Sequence, residues 1–156
     1  MKGMTTNEKL TETLNDLVKI NNDRIVGCEK AADQTTASDT DMQAVYLEMA
    51  NESRSYIKAF NKRINNLGGM SASINATSGK IYKGWMEVKK MFNGTNRKSI
   101  LESCEWEENA AQNAYKDALD TDTAMNMDVR QLIIEQKAGL KKSYDIIKGC
   151  RILQVA

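Results

Sequence analysis

The stretch CEWEENAAQNAY, Cys104 to Tyr115, sets Glu105 and Glu108 where the flanking residues trace the apolar stripe of a helix. Glu52 stands in a similar setting in an earlier segment, and Asp23 and Glu29 in the first one. Carboxylates that converge inside a helical bundle are the donors of di-iron and di-manganese centres, because hard or borderline divalent cations accept oxygen ligands. Without a cation the same cluster is costly, and its members must take up protons or find lysine and arginine partners. A second phase of the helix remains open: turned by one residue, it puts Glu105 and Glu108 at the core boundary, paired with lysine or arginine. Only the small alanines and Tyr115 are then inside.

Other chemistries are excluded by residue type. The 156 residues contain no histidine, which removes the commonest general base and metal ligand and with it Ser-His-Asp, Cys-His and HExxH arrangements. Catalysis by side chains is therefore disfavoured. Cys28, Cys104 and Cys150 lie far apart with no C-x-x-C spacing, so neither a zinc site nor a redox dithiol is expected, and a reducing cytoplasm fits best. A peroxidase built on Cys104 is weaker still, since nearby glutamates raise a thiol's pKa. Twenty-two basic residues against 21 acidic ones give no field that would select nucleic acid or an anionic membrane. The first ten residues lack the apolar run of a signal peptide, and no stretch approaches the roughly 20 apolar residues of a membrane span.

The elements that must position these residues are helices. There is no proline, so long helices can run without interruption. A T-x-x-E capping box at Thr5 and Glu8 opens a run with Leu10, Leu14, Leu17, Ile25 and Cys28 in phase, which predicts a helix over about 6–34. A second, over 41–67, starts with a capping box at Thr40 and Gln43 and closes on Gly68 and Gly69. Asn96 caps a third over 96–119, and the fourth covers 127–153. The long connection between the second and third carries a short amphipathic helix over about 78–92, with Ile81, Trp85, Val88 and Phe92 on one face and lysines on the others. Packing of Trp85 on the bundle is its expected purpose, with a lysine-lined membrane or adaptor surface as the alternative. Helices of about 25 residues span roughly 38 Å. The connection is long enough to run back along that length, so the expected architecture is all-α: one ferritin-like four-helix bundle filling the chain, with a long crossover.

Counting from the helix ends puts Glu52 and Glu108 at one level. Reflection through the two short turns then sets Asp23 opposite Glu52 and Gln136 opposite Glu108, with Glu29, Glu48 and Glu105 about one turn away.

The segments LNDLVKINNDRI, SGKIYKGWMEVK, ILESCEWEENAAQNAYKDAL and VRQLIIEQKAGLKKSYDIIK together resemble a bacterial ferritin-like four-helix-bundle family catalogued as a domain of unknown function. The likeness runs from about Thr6 to Arg151. A full centre of the ferritin-like type has one glutamate on each of two helices and Glu-x-x-His on the other two. The resemblance makes Glu52, Glu108 or Glu105, and Asp23 or Glu29 the candidate carboxylates. Ser55 stands where the second helix would need histidine, Gln136 where the fourth would need an acid, and Gly139 three residues on. Tyr144 is the nearest further donor. A standard ferroxidase centre is thus excluded, while oxygen-rich iron or manganese binding stays open. The leading expectation is a cytoplasmic, homo-oligomeric protein, most simply a dimer, with a structural, stress-related or protein-interaction role and no catalysis. The alternative is a carboxylate-rich di-metal bundle with weak oxidase-type activity.

Overall fold

The computed structural model describes residues 4–69, 78–89, 94–121 and 123–153. Five helices follow in order: α1 Thr6–Gln34, α2 Thr40–Asn66, α3 Lys80–Val88, α4 Arg97–Leu119 and α5 Met127–Leu153. The far end of the expected crossover helix, including Phe92, lies outside the described residues.

Local chemistry explains the boundaries. The Thr5 hydroxyl accepts the Glu8 N–H and starts α1. α2 departs from the expected capping box: Asp39 is the N-cap, and the Gln43 amide reaches back across the turn to the Thr35 carbonyl. At its other end Gly68 takes φ +79°, the left-handed conformation that lets the Gly69 N–H return to the Ile64 carbonyl. Asn96 and Ser99 form a reciprocal capping box on α4. The start of α3 is held from another helix: the buried Asp16 carboxylate of α1 accepts the N–H groups of Gly79 (2.9 Å) and Tyr82 (3.1 Å). Burial nevertheless raises the Asp16 carboxyl above its ordinary value, and the two N–H donors only moderate the rise.

Long-range contacts set the topology. α1 faces α4 through Asn21 with Tyr115, Arg24 with Glu108 and Gly27 with Glu107. One number rises as the other falls, so the pair is antiparallel. Arg63 with Asp128, Tyr56 with Gly139 and Glu52 with Ser143 make α2 and α5 antiparallel as well. The long connection therefore leaves α2 and α4 parallel across the diagonal. α3 lies against α1 and α4, with Trp85 buried and its indole N–H donated to Asp23.

Two apolar clusters fill the interior. One gathers Leu10, Leu14, Leu17, Phe60, Tyr115 and Leu140; the other Cys28, Met42, Tyr46, Leu101, Cys104 and Ile147. Between them, at mid-height, lies a band of buried polar side chains.

Candidate functional site

That band is built around a guanidinium. Arg24 is only 2% exposed and sits on α1 in seven-residue phase with Leu10, Leu17 and Ala31. Its Nε donates to Glu108 Oε2 at 2.8 Å and its Nη2 to Glu108 Oε1 at 2.7 Å, a two-pronged pair with a carboxylate that is itself 2% exposed. Nη2 also donates to Glu52 Oε1 at 2.9 Å. Nη1 donates to the Ser53 hydroxyl at 2.8 Å and the Met49 carbonyl at 3.1 Å. Burial by itself would lower the pKa of Arg24, but the facing Glu108 and Glu52 carboxylates outweigh it and raise the value.

Hydrogen bonds carry the band across to α5. The Ser53 hydroxyl donates to Asn21 Oδ1, and the Asn21 amide donates to the Leu17 carbonyl and the Tyr115 hydroxyl. Tyr115 donates to Gln136 Oε1 at 2.6 Å, and the Gln136 amide reaches the Tyr56 carbonyl at 3.4 Å. Ser143 donates to Glu52 Oε1 at 3.3 Å. Asn21, Arg24, Ser53, Glu108, Tyr115 and Gln136 each have a partner within this network, as a buried network must provide.

Glu52 and Glu108, placed at one level by depth counting, both accept from Arg24 Nη2. Three other candidates do not join them. Asp23, one position from Arg24, turns toward the crossover helix, where its Oδ2 accepts Tyr82, Trp85 and Lys89. Glu29 pairs with Arg54 at an exposed site. Glu105 binds Arg151 across to α5, so the two glutamates of the CEWEENAAQNAY stretch divide: Glu108 enters the core and Glu105 stays at its edge. Gln136 belongs to the band but lies beside Tyr115, two turns from Glu108. Tyr144 is beside Glu105 and Arg151, and its ring carries the Lys148 ammonium 5.9 Å from the centroid. Glu48, expected near Glu29 and Glu105, instead lines a groove between α2 and α5.

Arg24, Asn21, Ser53, Ser143 and Glu107 escape the sequence reading. For Arg24 and Asn21 a signal existed: Leu14, Asn21 and Cys28 repeat at seven residues, as do Leu17, Arg24 and Ala31, so both polar residues lie on the apolar stripe. Glu107 packs its carboxylate against Gly27, where a Cβ would fall 2.5 Å from Oε2. Burial first, then the Glu108 charge, push its pKa from 4.5 to about 7, with Lys89 opposing.

The donor set does not fit a di-metal centre. The guanidinium fills the space between the two converging carboxylates, both oxygens of Glu108 are engaged, and a fixed cation would repel a second one. Among the described residues no group of three His, Cys, Asp or Glu side chains is arranged to hold a metal ion. The two buried thiols are equally unsuited to redox chemistry: burial raises Cys28 and Cys104 well above the ordinary range.

Antiparallel neighbours, parallel diagonals, a helix-bearing crossover and a polar band at mid-height define a ferritin-like helical bundle. Solved structures agree on the fold. A dodecameric thioferritin, the bacterioferritin-related protein from Bacteroides fragilis, matches 92% of this chain and 84% of its own at 17% identity, with a TM-score of 0.76. A mutant of Dps1 from Mycobacterium smegmatis matches 96% of this chain and 99% of its own at 10% identity, with a TM-score of 0.79. Residues 9–121 match the family described as a domain of unknown function, DUF2383, and the chain belongs to that family. No curated protein sequence matches it.

Proposed function

We propose that this protein is a non-catalytic ferritin-like bundle in which Arg24 stands where a metal cation would neutralise the interior carboxylates, and that it serves as a self-associating structural or protein-interaction component. The observation that carries this reading is the paired Arg24 and Glu108, each 2% exposed. A charge so buried persists only with its partner, so Arg24 and Glu108 stay paired and the guanidinium occupies the space between the carboxylates that a metal would need. Self-association is supported by the exposed Val88 and Trp106, which adjoin where the Trp106 indole N–H reaches the Val88 carbonyl, and by the dodecameric assembly of the thioferritin. The three free cysteines favour a cytoplasmic setting. No helix of the described residues is long and apolar enough to cross a membrane.

Elemental analysis of chelator-free protein, beside melting temperatures with and without ferrous iron or manganese, tests the reading. A ligand that prefers the folded state must raise the melting temperature. Substoichiometric metal and no shift are expected. Stoichiometric metal with a shift would sink the reading in favour of a carboxylate di-metal site at Glu52 and Glu108.

A further inference from the structure

α2 and α5 meet where the Tyr56 hydroxyl lies over Gly139; a Cβ there would overlap it. Past this point the helices leave a groove, lined on the α5 side by Gly139, Lys142, Ser143 and Ile146. The groove has a volume of about 600 Å³, within the range of roughly 300–1,000 Å³ typical of small-molecule sites. It is lined by the apolar Val45, Met49 and Ile146 and by two carboxylates, Glu48 and Glu52, one turn apart on α2.

We propose that this groove binds a small amphiphilic amine, a primary ammonium on a short aliphatic chain. The first argument is charge. Arg24 brings one guanidinium to two carboxylates, Glu52 and Glu108. Glu52 is 29% exposed, so part of that surplus negative charge faces the groove. Glu48 adds a second carboxylate, against the single ammonium of Lys142 on the opposite wall. Shape is the second. Glu48 and Glu52 are four residues apart on one helix, which separates their Cβ atoms by about 5–6 Å. Three N–H donors on one ammonium can bridge such a pair, whereas a divalent ion needs all its ligands within about 2.0–2.6 Å. The apolar walls offer nothing to a hydrated ion but would cover an aliphatic chain.

This site goes beyond the non-catalytic reading, and either can fail without the other. Calorimetric titration of the full chain with n-hexylammonium, hexanol and hexanoate tests it. Hexylammonium should bind one to one, and hexanoate should not. Glu52→Gln disturbs the Arg24 network, so the deciding variants are Glu48→Gln, at an exposed position, and Ile146→Trp, which fills the groove. Glu48→Gln should weaken hexylammonium about tenfold, in line with one charge-assisted hydrogen bond, and Ile146→Trp should abolish binding. No binding of hexylammonium, equal binding of hexanol, or unchanged binding in Ile146→Trp would each overturn the proposal.

Discussion

Replacing Glu107 with glutamine should change how the stability of this protein depends on pH. In the folded chain the Glu107 carboxyl holds its proton up to about pH 7, because it is half-buried against Gly27 and faces the charge of the Glu108 carboxylate. In the unfolded chain it is an ordinary carboxyl that ionises near 4.5. Between those values the folded state binds more protons than the unfolded one, so stability falls as pH rises through the window and levels off above it. At about 1.4 kcal/mol per pH unit, the loss attributable to this one group is on the order of 3 kcal/mol. Glu107→Gln cannot ionise and escapes it. Urea denaturation followed by far-UV circular dichroism, on both proteins across the window from 4.5 to about 7 and beyond, isolates the effect. Other groups titrate in both proteins and cancel in the difference. The variant should gain on the wild type steadily as pH rises, with a plateau above neutrality. A difference that stays flat across the whole range would refute the placement of this carboxyl in the α1–α4 interface.

Gly27→Ala should produce a related effect by another route. The new methyl pushes the flexible end of Glu107 toward water, so the pH dependence flattens, and helix propensity adds up to about 1 kcal/mol in the same urea assay. Arg24→Leu should cost about 3–5 kcal/mol, since it strands Glu108 in the interior, and much of that loss should return in the Arg24→Leu, Glu108→Leu double variant; a double variant as unstable as the single one would count against the pair. Trp85→Ala should lose about 3–5 kcal/mol and release α3 from α1, seen as protease cleavage near Lys80 to Lys89 under conditions where the wild type is intact.

Most of the architecture was legible because apolar residues recur at helical spacing between capping residues, and because a connection too long for a bundle turn forces a crossover. The site was legible only in part. Glu52 and Glu108 can be paired by counting along helices, since rise per residue is fixed. Reflection through a turn is less secure, as rotation about the helix axis changes by about 100° per residue. That single step separates Asp23, which accepts from the Tyr82, Trp85 and Lys89 side chains of the crossover segment, from Arg24, which enters the core. A polar residue on an apolar stripe also reads as an interruption until its partner on another helix is known, and Arg24 and Glu108 lie 84 positions apart in the chain. The same dependence on distant partners hid the division between Glu105, held by Arg151, and Glu108, held by Arg24.

The polar band between the two apolar clusters also fixes which residues can lie side by side. Leu10, Leu17 and Ala31 share Arg24's seven-residue phase on α1, as Leu101 and Tyr115 share Glu108's on α4. Apolar packing alone would therefore tolerate α4 sliding by one heptad against α1, about 10 Å along the axis at 1.5 Å per residue. With the band present, such a slide sets Arg24 against Leu101 or Tyr115 and leaves two buried charges apart. The guanidinium thus works as an alignment key: the clusters above and below it supply cohesion, and its pairing with Glu108 penalises a shifted register.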